Sequence, residues 1–284
     1  MTNLYFISGA TGGLGKAFAV ECASRGWDLF LTDMRQDALE VLATGLIRTY
    51  GVRIIYQPLD LTDATARQSM FDLIQREGWK FRGLINVAGL DYEGLFTDRS
   101  NAEISSILRV NIEATLLLTH TLLQCRNILL PFRIINVSSL AAFFSMPVKA
   151  TYAASKRFLL DFSIALREEL REENVTVTVL CPAGLPTTQG SITSIEAQGV
   201  MGQITTADIG KVAFQTIEAA ERGKAVVIPG TLNQVIRWLG GMVPAPTVST
   251  LIGKRWRAAR QTNYGQTADI KWKNVKISSN ALTG

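Results

Sequence analysis

The chain has 284 residues, is 47% hydrophobic and carries a formal net charge of +5, enough apolar material for a large core in one domain or two. Its three cysteines, Cys22, Cys125 and Cys181, lie far apart without a C-x-x-C pair. That excludes a disulfide framework and a metal knuckle, suits a reducing compartment, and leaves each as a small buried apolar residue.

One histidine, His120, leaves no material for a histidine-built zinc site or a Ser–His–Asp triad. In "LLLTHTLLQC" it reads as a packed helix residue, and no metal is expected. From Leu251 onward the chain has seven Lys or Arg and one acid, Asp269, whereas the first 250 residues hold 22 basic and 23 acidic side chains. The body is therefore no basic nucleic-acid binder, and an anionic partner would have to meet the tail. "MTNLYFISGATGG" lacks a basic region followed by an apolar stretch and cleavage site. The most apolar window, 114–130, is interrupted by His120, Gln124 and Arg126, unlike a spanning helix. The expected location is the cytoplasm.

In chain order, "LYFISGA" reads as a strand and 13–25 as a helix. "WDLFLTD" is a second strand, 38–50 helical, "RIIYQPLD" a third strand and 63–77 helical. "GLINVAG" is a fourth strand, followed by one long helix over about 102–126 and the fifth strand "FRIINVSS". A helix over about 151–172, the strand "VTVTVLCPA", a helix over 208–222 and the short strand "KAVVIPG" complete the rhythm. The strands are continuous apolar runs, as in a parallel sheet buried on both faces. Alternation with helices predicts an α/β doubly wound, seven-stranded, mainly parallel sheet with helices on both faces. The reading is one domain over 1–250, with about 231–260 as a helical cap and 261–284 as a basic, loosely ordered tail.

"ISGATGGLGKAFA" follows the first strand and opens the first helix. Gly9, Gly13 and Gly15 would let the backbone turn tightly beside a pyrophosphate, with helix N–H groups facing it. The second strand ends at Asp33, twenty residues after Gly13, where an acid can bond both ribose hydroxyls and repel a 2′-phosphate. With Met34 next and no basic residue in the loop before Gly13, NAD is favoured over NADP; nearby Arg35 softens that preference.

Ser8-Gly9-x-x-x-Gly13-x-Gly15 resembles the T-G-x-x-x-G-x-G of the short-chain dehydrogenase/reductase family. Gly9, Gly12 and Gly15 also fit the G-x-x-G-x-x-G of nucleotide-sugar epimerases, which need a C-terminal substrate domain for which little chain remains after about residue 230. The resemblance to the short-chain family covers about residues 3–230. It includes Asp33, Asp60-Leu61, "NVAG" at 86–89, Asn111, "NVSS" at 136–139, Tyr152-x-x-x-Lys156 and Pro182, in order and at the usual spacing. It implies a Rossmann-like fold of the non-extended type and cofactor contacts from Ser8, Gly9, Gly13, Leu14, Gly15, Asp33, Asp60, Leu61, Asn86, Ala88, Gly89, Tyr152, Lys156, Pro182, Leu185 and Thr187. Asn86 also reads as a purely structural tie between strands.

The chemistry follows from the residue types. Hydride transfer at a carbinol carbon needs a proton moved at its oxygen. Tyrosine, with a pKa near ~10, is a poor base at neutral pH. Lys156, one helical turn on, is expected to lower the Tyr152 pKa by favouring the phenolate. Ser139, at a strand's carboxyl end, can orient the substrate oxygen toward Tyr152. The resemblance adds that Lys156 holds the nicotinamide ribose and that Asn111 holds a water in a proton relay. Each motif alone has a bland reading: a solvated helix face, a loop start, a helix residue bonded to backbone.

Two positions depart from the family pattern: Val87 replaces the second asparagine of N-N-A-G, and Ala183 the glycine after Pro182. Leu90, Tyr92, Leu140, Phe143, Phe144 and Met146 are candidates for an apolar pocket or for core. Residues 189–204 are a candidate substrate lid. The segment after the last strand, with Trp238 and Trp256, is an apolar cap admitting a hydrophobic alcohol or carbonyl compound, or else a peripheral membrane or oligomer contact. The helices at 102–126 and 151–172 resemble those that pair subunits, implying a homodimer or homotetramer. The function expected is an NAD(P)-dependent oxidoreductase interconverting a secondary alcohol and a ketone; the alternative is a catalytically silent dinucleotide-binding sensor or scaffold.

Overall fold

The apolar runs assemble into one parallel sheet. A computed structural model describes residues 2–185, 207–254 and 256. Its strands are β1 (Thr2–Ser8), β2 (Asp28–Asp33), β3 (Ile54–Pro58), β4 (Lys80–Asn86), β5 (Phe132–Val137), β6 (Val175–Leu180) and β7 (Val226–Val227), in the order β3-β2-β1-β4-β5-β6-β7. All neighbours pair in parallel. The helices are α1 (Gly13–Ser24), α2 (Gln36–Tyr50), α3 (Ala64–Arg76), α4 (Asn101–Leu108), α5 (Thr115–Gln124), α6 (Ala150–Glu169), α7 (Ile209–Glu221) and α8 (Thr231–Gly241), then a helical run over 245–254.

Continuous apolar strands are explained by cores on both faces. In β1, Tyr5 and Ile7 join one core with Phe18 of α1, Leu39 of α2 and Ile217 of α7. Leu4 and Phe6 point to the other, with Met70 and Ile74 of α3 and Leu122 of α5. This alternation across a doubly covered sheet removes apolar area on every strand residue.

The strand order reverses between β1 and β4, which opens a crevice at their carboxyl ends. Ser8 is level with Thr32 on β2 and Asn86 on β4, and Asn86 with Asn136 on β5. Residues far apart in sequence thus end at one edge.

Several boundaries differ from the sequence reading. The long helix over 102–126 is α4 and α5 joined by a π turn, Arg109–Ala114. The extra residue in that turn changes which side chains face the sheet, and buried Asn111 lies within it. Helix α6 stops at Glu169, where a 3-10 turn, Arg171–Glu173, and left-handed Asn174 (φ 54°) redirect the chain into β6. The seventh strand shrinks to two residues. His120 is exposed rather than packed, with a ring nitrogen 3.3 Å from Gln124 Nε2: its neighbours Leu118 and Leu122 take the buried face of α5. All three cysteines are buried and unpaired. The expected tail at 261–284 lies outside the described residues.

Candidate active site

The glycine loop is close-packed in ways a side chain would obstruct. Gly9 has φ +65°, and a Cβ there would lie 2.8 Å from the backbone of Ala88. At Gly15 a Cβ would lie 2.0 Å from the carbonyl oxygen of Gly9. Ser8 Oγ accepts hydrogen bonds from the N–H groups of Val87 (3.2 Å) and Ala88 (3.4 Å), tying β1 to the "NVAG" turn. Gly13 begins α1 and Leu14 is buried in the core. No side chain caps α1 at Gly12, so its first-turn N–H groups suit an anion. This cradle fits a dinucleotide pyrophosphate.

Asp33 does more than end β2. Its carboxylate accepts from Thr11 N–H (3.0 Å) and Arg35 N–H (3.3 Å), and Arg35 Nε is 3.5 Å away. Arg35 also donates to Thr11 Oγ1 at 2.7 Å. Asp60 is exposed and accepts from Thr62 N–H (2.8 Å) and the Thr62 hydroxyl (2.9 Å). Leu61 is buried, and its carbonyl accepts from buried Arg67, which also pairs with Glu113 of the π turn. Arg67 thereby links this turn to the helix carrying Asn111.

The four expected proton-handling residues converge beyond β4 and β5. Lys156 is buried; its ammonium donates to the Val137 carbonyl at 2.9 Å and lies 5.8 Å from the Tyr152 ring centre. Asn111 Nδ2 donates to the Leu90 carbonyl (3.0 Å) and Ser155 Oγ (3.0 Å), while its Oδ1 accepts from Leu90 N–H (2.7 Å). Gly89 fits against both groups: a Cβ there would lie 3.1 Å from Lys156 Nζ and 3.4 Å from Asn111 Oδ1. Ser139 caps the turn Leu140–Phe143, its Oγ accepting from Ala141 N–H at 3.1 Å, and it stands beside Tyr152, favouring the phenolate.

Asn86 is a tie between strands. Its Nδ2 donates to Asn136 Oδ1 (2.8 Å), and Asn136 Nδ2 donates to Ser163 Oγ (2.9 Å) on α6. This chain anchors the helix bearing Tyr152 and Lys156 to the sheet.

Residues 3–197 match the family model described as short chain dehydrogenase. The chain belongs to the short-chain dehydrogenase family. It is 33% identical over 174 residues to a very-long-chain 3-oxoacyl-CoA reductase of Laccaria bicolor, covering 60% of this chain and 51% of that one. It is 32% identical over 185 residues to 17-beta-hydroxysteroid dehydrogenase type 3 of Homo sapiens, covering 64% and 58%. The chain spans about half the length of the first of these relatives. A solved 7beta-hydroxysteroid dehydrogenase superposes with a TM-score of 0.78 at 24% identity, covering 88% of this chain and 96% of that one, which is a likeness of fold.

In this short-chain dehydrogenase, burial dominates the electrostatics of the Tyr–Lys couple. Tyr152 is pushed up to about 12, first by burial and then by the Asp91 carboxylate, with the Ser139 hydrogen bond pulling the other way. Lys156 is pushed down to about 8, again first by burial. The expectation that Lys156 lowers the Tyr152 pKa is therefore corrected for the protein alone. Desolvation of the phenolate is the largest influence on Tyr152, and the Lys156 ammonium is turned to the Val137 carbonyl.

The sequence reading missed a second charged group at this site. Lys149 Nζ lies 2.6 Å from Asp91 Oδ2, 3.4 Å from Glu93 Oε2 and 5.7 Å from the Tyr152 ring centre. The preceding Val148 has φ 66°, strained for a β-branched residue, and its carbonyl accepts from Gly94 N–H at 2.9 Å. No periodicity links the 91–94 loop with 148–149; only the valine's backbone marks the junction.

The remaining calls divide. Pro182 is buried, its carbonyl accepting from Leu140 N–H at 2.7 Å, and Leu185 is buried in the core. Leu140 and Phe143 pack against a small core with Leu160, Val179 and Cys181. Thr187 and the lid at 189–204 lie outside the described residues.

Proposed function

We propose that the protein is a nicotinamide-dependent oxidoreductase interconverting a secondary alcohol and a ketone on a hydrophobic substrate. The observation that carries this reading is the convergence of Tyr152, Lys156, Ser139 and Asn111 at the sheet edge that also holds a close-packed glycine turn and the uncapped N-terminus of α1. When bound, a nicotinamide dinucleotide supplies or accepts the hydride. Ser8, Gly9, Gly13, Leu14 and Gly15 would hold its pyrophosphate region, and Asp33, Asp60 and Leu61 its adenosine half. Asn86, Ala88, Gly89, Pro182, Leu185 and Thr187, with Tyr152 and Lys156, would hold the rest. The Asp33 carboxylate favours NAD, and Arg35 beside it moderates the choice.

At neutral pH a tyrosine pushed up to about 12 is protonated. Tyr152 is thus a proton donor to a carbonyl oxygen that Ser139 orients, which suits reduction. Lys156 stands close enough to support the phenolate that forms, and Asn111 holds the Gly89–Leu90 turn against it. The relatives' names refer to acyl-CoA and steroid compounds, which supports a lipophilic substrate. Exposed Leu117, Phe158 and Ile164 on α5 and α6 support a homodimer or homotetramer.

The test is turnover of a panel of hydrophobic ketones and alcohols with NAD(H) and NADP(H), run on the native protein and Tyr152→Phe. Turnover that Tyr152→Phe lowers by about 10³-fold or more, with NADH binding kept, supports the assignment. Tight NADH binding without turnover of any substrate would favour the silent sensor instead.

A further inference from the structure

Helix α8 packs one side on the fold and leaves apolar residues exposed on the other. Its inner side packs on the turn that follows Ser139. A Cβ on Gly240 would lie 2.2 Å from Phe144, Arg237 stacks over Phe143 at 4.8 Å, and buried Asn233 donates to the Pro229 carbonyl at 2.8 Å. On the other side Val235, Trp238, Leu239 and Met242 are all exposed, Trp238 by 66% and Met242 by 68%. Their spacing of three, four and seven residues makes one continuous stripe.

Along the sequence that carries this stripe the charge has a single sign. From Arg222 to Ala268, 47 residues contain no Asp or Glu and seven Lys or Arg. Four of those cations, Lys254, Arg255, Arg257 and Arg260, end or follow the helical run that succeeds α8. We propose that the outer face of α8 docks the protein onto an anionic lipid membrane.

The chemistry selects that occupant. A bilayer interface takes tryptophan, leucine and methionine into its acyl boundary and anionic headgroups beside the cations. Nucleic acid or an acidic protein would satisfy the cations and leave the stripe wet. A second copy of this chain would cover the stripe but bring two basic, acid-free segments together. The position also has a use, which rests on the oxidoreductase reading. α8 lies against the Leu140–Phe143 turn, directly after Ser139, so a docked molecule presents its active site to lipophilic compounds held in the bilayer.

The docking test reads binding rather than turnover, so its failure leaves the oxidoreductase reading standing. The full chain is sedimented with vesicles of phosphatidylcholine alone and of phosphatidylcholine with phosphatidylserine. Pelleting is expected with the mixed vesicles only. Trp238→Ser with Leu239→Ser should weaken it roughly tenfold or more, and so should glutamine at Lys254, Arg255, Arg257 and Arg260 together. Unchanged NADH binding verifies that each variant is folded. Equal pelleting with both lipids, no pelleting, or an unaffected variant overturns the proposal. So does conversion of an oligomer to a monomer by the Trp238/Leu239 change, which would make the stripe a subunit contact.

Discussion

Replacing Lys156 by methionine should abolish activity and yet stabilise the fold at neutral pH. The lysine is almost wholly buried, and burial takes it from 10.5 to about 8. Holding it charged well below pH 8 therefore costs the folded state about 3 kcal/mol. Methionine keeps much of the stem's packing and removes the charge. It also leaves the Val137 carbonyl, now bonded at 2.9 Å, without its donor, a loss of about 1 kcal/mol. The net gain is about 2 kcal/mol, which for a chain of this size raises the Tm by roughly 4 °C. The sign with pH follows from the depressed value. Between about pH 8 and 10.5 the unfolded chain binds the proton more often than the folded one, so native stability rises with pH there. The variant's advantage is full below that window and lost across it. Thermal or urea unfolding of both proteins at about pH 7 and about pH 10 measures this. A variant less stable than the native protein at neutral pH, or a difference that ignores pH, would refute the account of Lys156 as a costly buried cation.

Other expectations concern the residues around it. Asp91→Asn removes a carboxylate that disfavours the Tyr152 phenolate, and Lys149→Met removes the cation paired with it. The alkaline limb of the kcat/KM profile should move down by about 1 in pH for the first variant and up for the second; shifts in the same direction would argue for loop disruption instead. Gly15→Ala places a Cβ 2.0 Å from the Gly9 carbonyl oxygen, whereas at Gly12 the nearest atom is an ordinary 3.4 Å away. Calorimetry should therefore show a large loss of Tm and NADH affinity for Gly15→Ala and a change within about 0.5 kcal/mol in stability for Gly12→Ala. Asp33→Ser, with Arg35 retained, should move the NADP(H)-to-NAD(H) ratio of kcat/KM upward by roughly tenfold or more; an unchanged ratio would show that Asp33 serves only to pin Thr11.

Much of this architecture is legible in local sequence because each apolar run and each glycine carries its own physical reason. Buried-on-both-faces strands have to be apolar throughout, so their number and parallel arrangement can be read directly. The glycines of the first loop are required by backbone contacts within a dozen residues and across to Ala88. Tyr152 and Lys156 share a helical turn, so their pairing is local too.

What the sequence could not disclose depends on which surfaces meet. The π turn at Asn111 comes from packing between α4, α5 and α6, not from a breaker residue. His120 reads as apolar by its neighbours and is exposed because Leu118 and Leu122 claim the inner face. Asp91 and Lys149 are 58 positions apart and meet only through a strained turn at Val148. The same holds for the proton affinities. Residue types determine that a tyrosine, a lysine and a serine can move a proton. Burial, set by how β4, β5 and α6 close over them, decides that the tyrosine holds its proton and the lysine gives its own up more readily, because desolvation is a property of the packed fold and not of the chain.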